Sequence, residues 1–123
     1  MIQLKRAYLP ADSKDGYRVL VDRLWPRGVS KEKEDLDLWL KEIAPSNELR
    51  QWFHHESAKF PEFKERYAAE LQQATGKAAF VQLVELIKKH PTVTLVYGAK
   101  NEAENNAVVL KELLEKNVSE TKE

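Results

Sequence analysis

Residues 18–28, which read RVLVDRLWPRG, contain a predicted strand and the charged loop that follows it. It begins with an apolar run, residues 19–21, of the kind that forms a buried strand. The run then breaks into a loop that carries a carboxylate, two guanidiniums and an indole: Asp22, Arg23, Arg27 and Trp25. Loops that follow strands are where α/β proteins usually build their sites, and arginine matches phosphate or carboxylate groups. We therefore expect an anion to bind here.

The segments on either side of this stretch predict further strands and several helices. Residues 2–8 alternate apolar and polar positions and residues 93–97 are a continuous apolar run, so both read as strands. Residues 36–43 alternate with a period of two, which favours an extended segment without excluding a helix. Apolar residues at helical spacing predict helices over 47–55, 58–75, 77–90 and about 102–116.

The order of these elements predicts an α/β fold. We expect a single three-layer domain over residues 1–123, with a small, mostly parallel sheet flanked by helices. Gly76 is expected to end the helix of residues 58–75, and residues 117–123 read as a frayed polar tail.

The composition limits the class of protein. With 20 basic and 20 acidic residues among 123, the chain has no net charge, which disfavours nucleic acid and anionic membranes as partners. It contains no cysteine, which excludes disulfides, a thiolate nucleophile and thiolate metal sites. The first residues lack the apolar core of a signal peptide, and no segment resembles a membrane span. We therefore expect a cytoplasmic protein. The sequence makes no prediction about homo-oligomers.

Two predicted strand ends can form one site. If the strands at 18–24 and 93–97 are parallel neighbours, the loops after them meet at the same edge of the sheet. A helix starting near Asn101 would add unpaired backbone N–H groups. Together these groups make a candidate cradle for a small anionic ligand. The candidate ligand-binding residues are Arg23, Trp25, Arg27, Tyr97, Lys100, Asn105 and Asn106.

Candidate acid/base groups for chemistry at this site are Asp22 and His54. His54 and His55 are adjacent and point about 100° apart on a helix, so they do not form a metal site, although one of them could face the cleft. Structural alternatives remain open for the other residues. Asp22 could be a turn or cap residue, Arg23 could form a structural ion pair, and Trp25 could be a packing plug.

Familiar catalytic and cofactor motifs are missing. The chain has no phosphate-binding loop ending in Gly-Lys-Ser/Thr, no Gly-x-Gly-x-x-Gly and no Gly-x-Ser-x-Gly, and it has no paired-histidine zinc motif. We therefore predict no cofactor and no metal, and nucleophilic acyl chemistry is disfavoured.

Several motifs together resemble a known family. They are DRLWPRG at 22–28, DLWLKEIAPS at 37–46, LRQWFHH at 49–55, LVYGAK at 95–100 and NNA at 105–107. With them the chain resembles the YeaO-like proteins, short bacterial and archaeal members of a domain-of-unknown-function superfamily. The resemblance covers nearly the whole chain and implies a compact α/β domain with no established activity.

The resemblance also shows a departure from the superfamily. A longer branch carries a cysteine-histidine-arginine triplet in the loop after its late strand, where this chain reads Asn105-Asn106-Ala107. Any thiol chemistry of that branch is therefore impossible here.

Three hypotheses of function follow. The first is a small enzyme acting on a phosphorylated or otherwise anionic metabolite. The second is a ligand-binding or regulatory module that uses the same cleft without chemistry. The third is a nucleic-acid or protein-interaction domain that uses Trp25, Trp39 and Trp52 with nearby arginines. Whether the protein is an enzyme is left open at this stage, because a fold alone does not fix function.

Overall fold

The computed structural model describes residues 1–121 and contains a four-stranded parallel sheet. Its strands are β1 (Ile2–Arg6), β2 (Tyr17–Leu20), β3 (Leu38–Trp39) and β4 (Val93–Tyr97), in the spatial order β1-β4-β2-β3. Each pair of neighbouring strands is parallel. The predicted α/β fold with a small parallel sheet is therefore confirmed.

Within residues 1–121, five α-helices accompany the sheet. They are α1 (Lys31–Glu34), α2 (Asn47–Phe53), α3 (Phe60–Glu70), α4 (Ala74–Lys89) and α5 (Asn106–Thr121). Short 3₁₀ turns precede some of these elements, at Ser13–Asp15, Lys41–Ile43 and Ser57–Lys59. Helix α2 starts where the sequence predicts it, because the Ser46 hydroxyl accepts a hydrogen bond from the Leu49 N–H at 3.1 Å.

The predicted helix stop at Gly76 is wrong. Helix α3 already ends at Glu70, and α4 begins at Ala74. Gly76 lies in the first turn of α4, where a Cβ atom would stand 2.6 Å from the carbonyl oxygen of Glu70. The glycine therefore allows the start of α4 to pass close to the end of α3.

The last helix begins and ends later than predicted. It starts at Asn106 instead of near residue 102, because the Asn105 side chain accepts a hydrogen bond from the Val108 N–H at 3.0 Å and caps the helix there. Residues 117–121, predicted as part of a frayed tail, belong to α5, and residues 122–123 lie outside the described residues.

The segment 36–43 is extended over only two residues. Leu38 and Trp39 form β3 against Val19 and Leu20, and a 3₁₀ turn follows at once. The alternation of the sequence therefore reflects a short edge strand and the turn after it.

Strands β2 and β4 are parallel neighbours, which is the condition that the two-loop site required. Val19 pairs with Leu95 and Leu20 pairs with Val96. Strand β2 ends at Leu20, earlier than the predicted residue 24, so Asp22 lies in the loop beyond the strand. The carboxyl ends of β2 and β4 therefore open on the same edge of the sheet.

The two faces of the sheet are covered differently. Helices α2 to α5 contribute side chains to one apolar core on the first face. Val19, Val21 and Leu95 belong to the same core. On the opposite face Leu20 and Val96 are covered by Trp39 of β3 and by two loop side chains, Trp25 and Leu36. The long helices thus share one layer, and the loops with α1 form a thinner third layer.

A buried ion cluster fastens α1 to this second face. Arg18, which is 3% exposed, donates to Asp15 at 2.6 Å and to the Glu34 carboxylate at 2.8 Å. Its Nε also donates to the Glu34 carbonyl at 3.0 Å. Lys5 contacts both Asp15 oxygens at 3.1 Å, and the Thr94 hydroxyl donates to the Asp15 carbonyl at 2.6 Å. Each of the three guanidinium nitrogens of Arg18 therefore donates to a protein group.

Candidate functional site

A cleft of about 230 Å³ lies at the carboxyl ends of β2 and β4. Its walls come from the loops after these two strands, from the segment between β3 and α2, from α2 and α3, and from the start of α5. The lining residues are Asp22, Arg23, Leu24, Ala44, Pro45, Arg50, Phe53, His55, Phe63, Gly98, Ala99, Asn105 and Asn106. The position agrees with the general rule that ligands of α/β sheets bind beyond the carboxyl ends of strands.

Asp22 connects three of these walls. Its Oδ2 accepts a hydrogen bond from the Gly98 N–H at 2.8 Å, and its Oδ1 accepts one from the Asn106 side chain at 3.2 Å. The same Asn106 amide donates to the Val21 carbonyl at 3.1 Å, and the Trp39 indole donates to the Asp22 carbonyl at 2.8 Å. Both carboxylate oxygens therefore face N–H donors, the arrangement that an ionised carboxylate needs.

The environment of Asp22 raises its pKa above the ordinary value of 3.8. Burial is the main cause, since it disfavours the charged form. The hydrogen bonds from Gly98 and Asn106 and the positive charges of Arg50 and His55 act in the opposite direction and offset part of this effect. Asp22 thus lies inside the cleft, and burial perturbs its pKa.

Arg23 lines the cleft and is held by neutral groups. Its guanidinium donates to the carbonyls of Ala44 at 3.2 Å and Pro45 at 3.4 Å, and among residues 1–121 it forms no ion pair. The alternative of an Arg23–Asp22 ion pair is therefore wrong. Glu70 fixes the same wall from the other side, because its carboxylate accepts from the Ser46 N–H at 2.9 Å and the Ser46 hydroxyl at 2.6 Å.

The end of α2 brings two further cationic or titratable groups to the cleft. Arg50 and His55 both line it and both are exposed. His54 and His55 adopt left-handed backbone conformations, with φ of 45° and 56°, which turn the chain sharply after Phe53. As a result His55 lines the cleft, and His54, the residue proposed from the sequence, does not.

Trp25 and Arg27 do not line the cleft. The Trp25 indole donates to the Val29 carbonyl at 2.7 Å and packs edge-on against Trp39, with ring centroids 5.3 Å apart. It covers the second face of the sheet, which agrees with the alternative of a packing plug. Arg27 is exposed in the same loop. The loop DRLWPRG thus divides, with Asp22 to Leu24 in the cleft and the rest outside it.

The predicted residues after β4 also divide. Asn105 and Asn106 line the cleft, whereas Tyr97 and Lys100 do not. Tyr97 is buried and hydrogen bonds with Asn105, and burial raises its pKa. Lys100 is exposed beside the loop. Asn105 is also structural, because its amide donates to the Asn101 carbonyl at 2.8 Å while its oxygen caps α5.

Several other cleft residues were not proposed from the sequence. Phe53 and Phe63 are buried and stack with ring centroids 4.3 Å apart, so they form an apolar wall. The sequence carries only a weak indication that Arg50 lies in the cleft, namely its position next to the buried Leu49 on a short helix. Leu24 is 60% exposed at the rim.

The tryptophans do not form one surface. Trp25 and Trp39 cover the second face of the sheet, while Trp52 packs against the helical core. The Arg66 guanidinium lies over the Trp52 ring, with its carbon 4.3 Å from the ring centroid. Within residues 1–121, no group of three histidine, aspartate or glutamate side chains is arranged to hold a metal ion. None of the described helices combines the length and apolar character needed to cross a membrane.

Comparison with known proteins gives consistent results. The model of the DUF488-N3i family, described as the inactive DUF488-N3 subclade, matches residues 1–123. The uncharacterized protein YeaO of Escherichia coli K12 is 50% identical over 113 residues, which are 92% of this chain and 96% of the relative. The uncharacterized proteins Mb3100c of Mycobacterium bovis and Rv3073c of Mycobacterium tuberculosis are each 41% identical over 113 residues, 92% of both chains. No solved structure matches. The resemblance found in the sequence is confirmed, and the chain belongs to the DUF488-N3i family of YeaO-like proteins.

Proposed function

We propose that the protein is a cytoplasmic binding module that takes a small anionic ligand into the cleft without transforming it. The observation that carries this proposal is the pair of guanidiniums, Arg23 and Arg50, that line the cleft. Neither forms an ion pair among residues 1–121. Arginines that are held in place and lack an acidic partner provide planar donors for a carboxylate or a phosphate.

The cleft is also preorganised for binding. Arg23 anchors the segment Ala44–Pro45 from one side, and the contact between Glu70 and Ser46 fixes it from the other. Because these contacts are made between groups of the protein itself, little ordering of the wall is needed on binding.

The engagement of Asp22 favours binding over catalysis. Its two oxygens serve Gly98 and Asn106 and hold the sheet to α5. A general base needs a hydrogen-bonding position directed at the substrate, and these contacts compete for it. The description of the family as inactive agrees with this view.

A second candidate function is acid/base chemistry on the bound anion. It is favoured by one observation: Asp22, with its raised pKa, and His55 line the same cleft. In this case a bound anion would be consumed, whereas a binding module returns it unchanged. Incubation of a bound anion with the protein, followed by mass spectrometry, separates the two candidates.

The binding proposal is tested by thermal unfolding with inorganic phosphate, acetate, benzoate and phenyl phosphate as probes. A ligand that binds only the folded state stabilises it by RT ln(1 + [L]/Kd) and therefore raises the Tm. We expect at least one probe to raise the Tm of the parent protein, and to have a smaller effect on Arg23→Gln and Arg50→Gln.

The matched control is Lys14→Gln, which removes an exposed positive charge before β2, away from the cleft. It should respond to the probes as the parent does. The proposal is wrong if no probe stabilises the parent, or if the two cleft variants respond like the control.

A further inference from the structure

The charges that line the cleft favour an anion with a single charge. Arg23 and Arg50 contribute two positive charges, and Asp22 contributes one negative charge, since both of its oxygens accept from N–H donors. The charges of these three side chains sum to one positive charge. A monoanion neutralises it, whereas a phosphate dianion leaves excess negative charge near the buried Asp22 carboxylate.

Part of the cleft wall is apolar. The stacked rings of Phe53 and Phe63 line it, and Pro45 adds a further apolar surface. Leu24 stands at the rim with 60% of its surface exposed. Inorganic ions make no use of such a surface, but a ligand with an apolar body would cover it and remove it from water.

The size of the cleft limits that apolar body. A volume of about 230 Å³ is below the range of roughly 300–1,000 Å³ that is usual for drug-sized ligands. It corresponds to roughly eight water molecules at about 30 Å³ each. One aromatic or branched aliphatic group with a single charged group fits this space, and a nucleotide does not.

We infer that the cleft takes a small monocarboxylate with a compact apolar group, preferably an aromatic ring. The carboxylate would lie against Arg23, Arg50 and His55, and the ring against Phe53 and Phe63. This inference rests on the proposed anion site and specifies which anions it selects.

The test compares matched probes by NMR titration of the ¹⁵N-labelled protein at pH 7.5. Benzoate and phenyl phosphate share a ring, but the phosphate is mostly a dianion there because its second pKa is about 6. Acetate and inorganic phosphate lack the ring. We expect benzoate to bind at least about tenfold more tightly than each of the other probes, which corresponds to about 1.4 kcal/mol.

Variants separate the contributions of charge and apolar surface. Arg50→Gln should weaken benzoate about tenfold. Leu24→Ser should weaken benzoate but leave acetate unchanged, because only benzoate reaches the apolar rim. Since Leu24 is exposed, this variant is expected to fold like the parent. Lys14→Gln is the control and should change nothing.

Each other outcome contradicts a definite statement. If phenyl phosphate or inorganic phosphate binds more tightly than benzoate, the inferred ligand class is wrong and the anion site remains. If no probe binds, the proposed function fails together with the inference. If benzoate binds equally well to the parent, Arg50→Gln and Leu24→Ser, the ligand does not use this cleft.

Discussion

Two aspartate–arginine pairs lie at the two ends of strand β2, Asp15 with Arg18 and Asp22 with Arg23, and their contacts differ. At the start of the strand, Arg18 is 3% exposed and contacts the carboxylates of Asp15 and Glu34 at 2.6 and 2.8 Å. After the strand, Arg23 is half-buried and contacts carbonyl groups, while Asp22 accepts only from neutral N–H donors. The first pair is a closed structural cluster, and the second leaves its charges open to a cleft.

The difference shows that residue type alone does not separate a structural pair from a binding pair. In the Arg18 cluster, oppositely charged groups neutralise one another on the covered face of the sheet, and among the described residues one oxygen of the buried Glu34 carboxylate has no hydrogen-bond partner. At Asp22 and Arg23 the partners are backbone groups and the Asn106 amide, all of them neutral, so the side chains are oriented without being neutralised. Whether the partners are ionic or neutral therefore decides which charges can serve a ligand.

The largest effect should come from breaking the closed cluster. Arg18→Met leaves the Glu34 carboxylate buried without a cation and removes one of the partners of Asp15. Loss of one partner of a buried pair costs about 3–5 kcal/mol, which we expect as the decrease in the free energy of unfolding measured in urea. The matched variant Arg23→Met removes hydrogen bonds to carbonyls only and should cost about 1–2 kcal/mol.

A further variant identifies the cause of this loss. Combining Arg18→Met with Glu34→Leu removes the unpaired carboxylate as well, so part of the lost stability should return. Equal losses for Arg18→Met and Arg23→Met would contradict the distinction between the two pairs.

A smaller effect is expected from Asp22→Asn. The new amide can accept from the Gly98 N–H with its oxygen, but its NH₂ then faces the amide donor of Asn106. A donor left without an acceptor costs about 1–3 kcal/mol, to be measured by urea unfolding at pH 7. The control is Asp37→Asn, because Asp37 is exposed and accepts one backbone N–H, that of Arg18, at 2.8 Å. Similar losses in both variants would mean that Asp22 does not connect the walls of the cleft.

The smallest effect is a difference in the sign of the pH dependence. Burial raises the pKa of Asp22, so its contribution to stability is full below 3.8 and is lost as the pH rises through the folded pKa. For Asp15, burial acts upwards but is outweighed by hydrogen bonds from the Asp12 N–H, Lys5 and Arg18, which leave the pKa below 3.8. Its contribution is present above 3.8 and is lost as the pH falls through the folded pKa.

Urea unfolding between pH 3 and 7 measures how the contributions of Asp22 and Asp15 to the free energy of unfolding change with pH. On lowering the pH from 7, the parent should gain stability relative to Asp22→Asn. Below pH 3.8 it should lose stability relative to Asp15→Asn. If both comparisons change in the same direction, the two aspartates do not differ in the way described.

The sequence predicted the architecture of this region from strong local patterns. The apolar runs before Asp22 and before Gly98 identified two strands, and their parallel pairing brought the two loops together at one edge. Four of the nine predicted site residues line the cleft: Asp22, Arg23, Asn105 and Asn106.

The missed residues depend on geometry that leaves little trace in the sequence. His55 lines the cleft instead of His54 because both residues adopt a left-handed backbone conformation. No glycine stands at these positions to indicate that conformation in the sequence. Trp25 faces away because its loop turns onto the second face of the sheet, where its indole finds the Val29 carbonyl. Phe63 reads as an ordinary core residue, and only tertiary packing brings one edge of it to the cleft.

The position of β4 has a consequence for synthesis of the chain. It is the last strand to be made, yet it lies between β1 and β2, and the amino terminus itself donates to the Pro91 carbonyl, 90 residues away. Of the strand pairs described in residues 1–121, only the two-residue β2–β3 ladder can form before β4 leaves the ribosome. Long loops must close before the sheet contacts can form, which makes folding slow. Until β4 is available, β1 is unpaired and can associate with other chains. The β1–β4 and β2–β4 pairs of the sheet therefore form only after β4 has been synthesised.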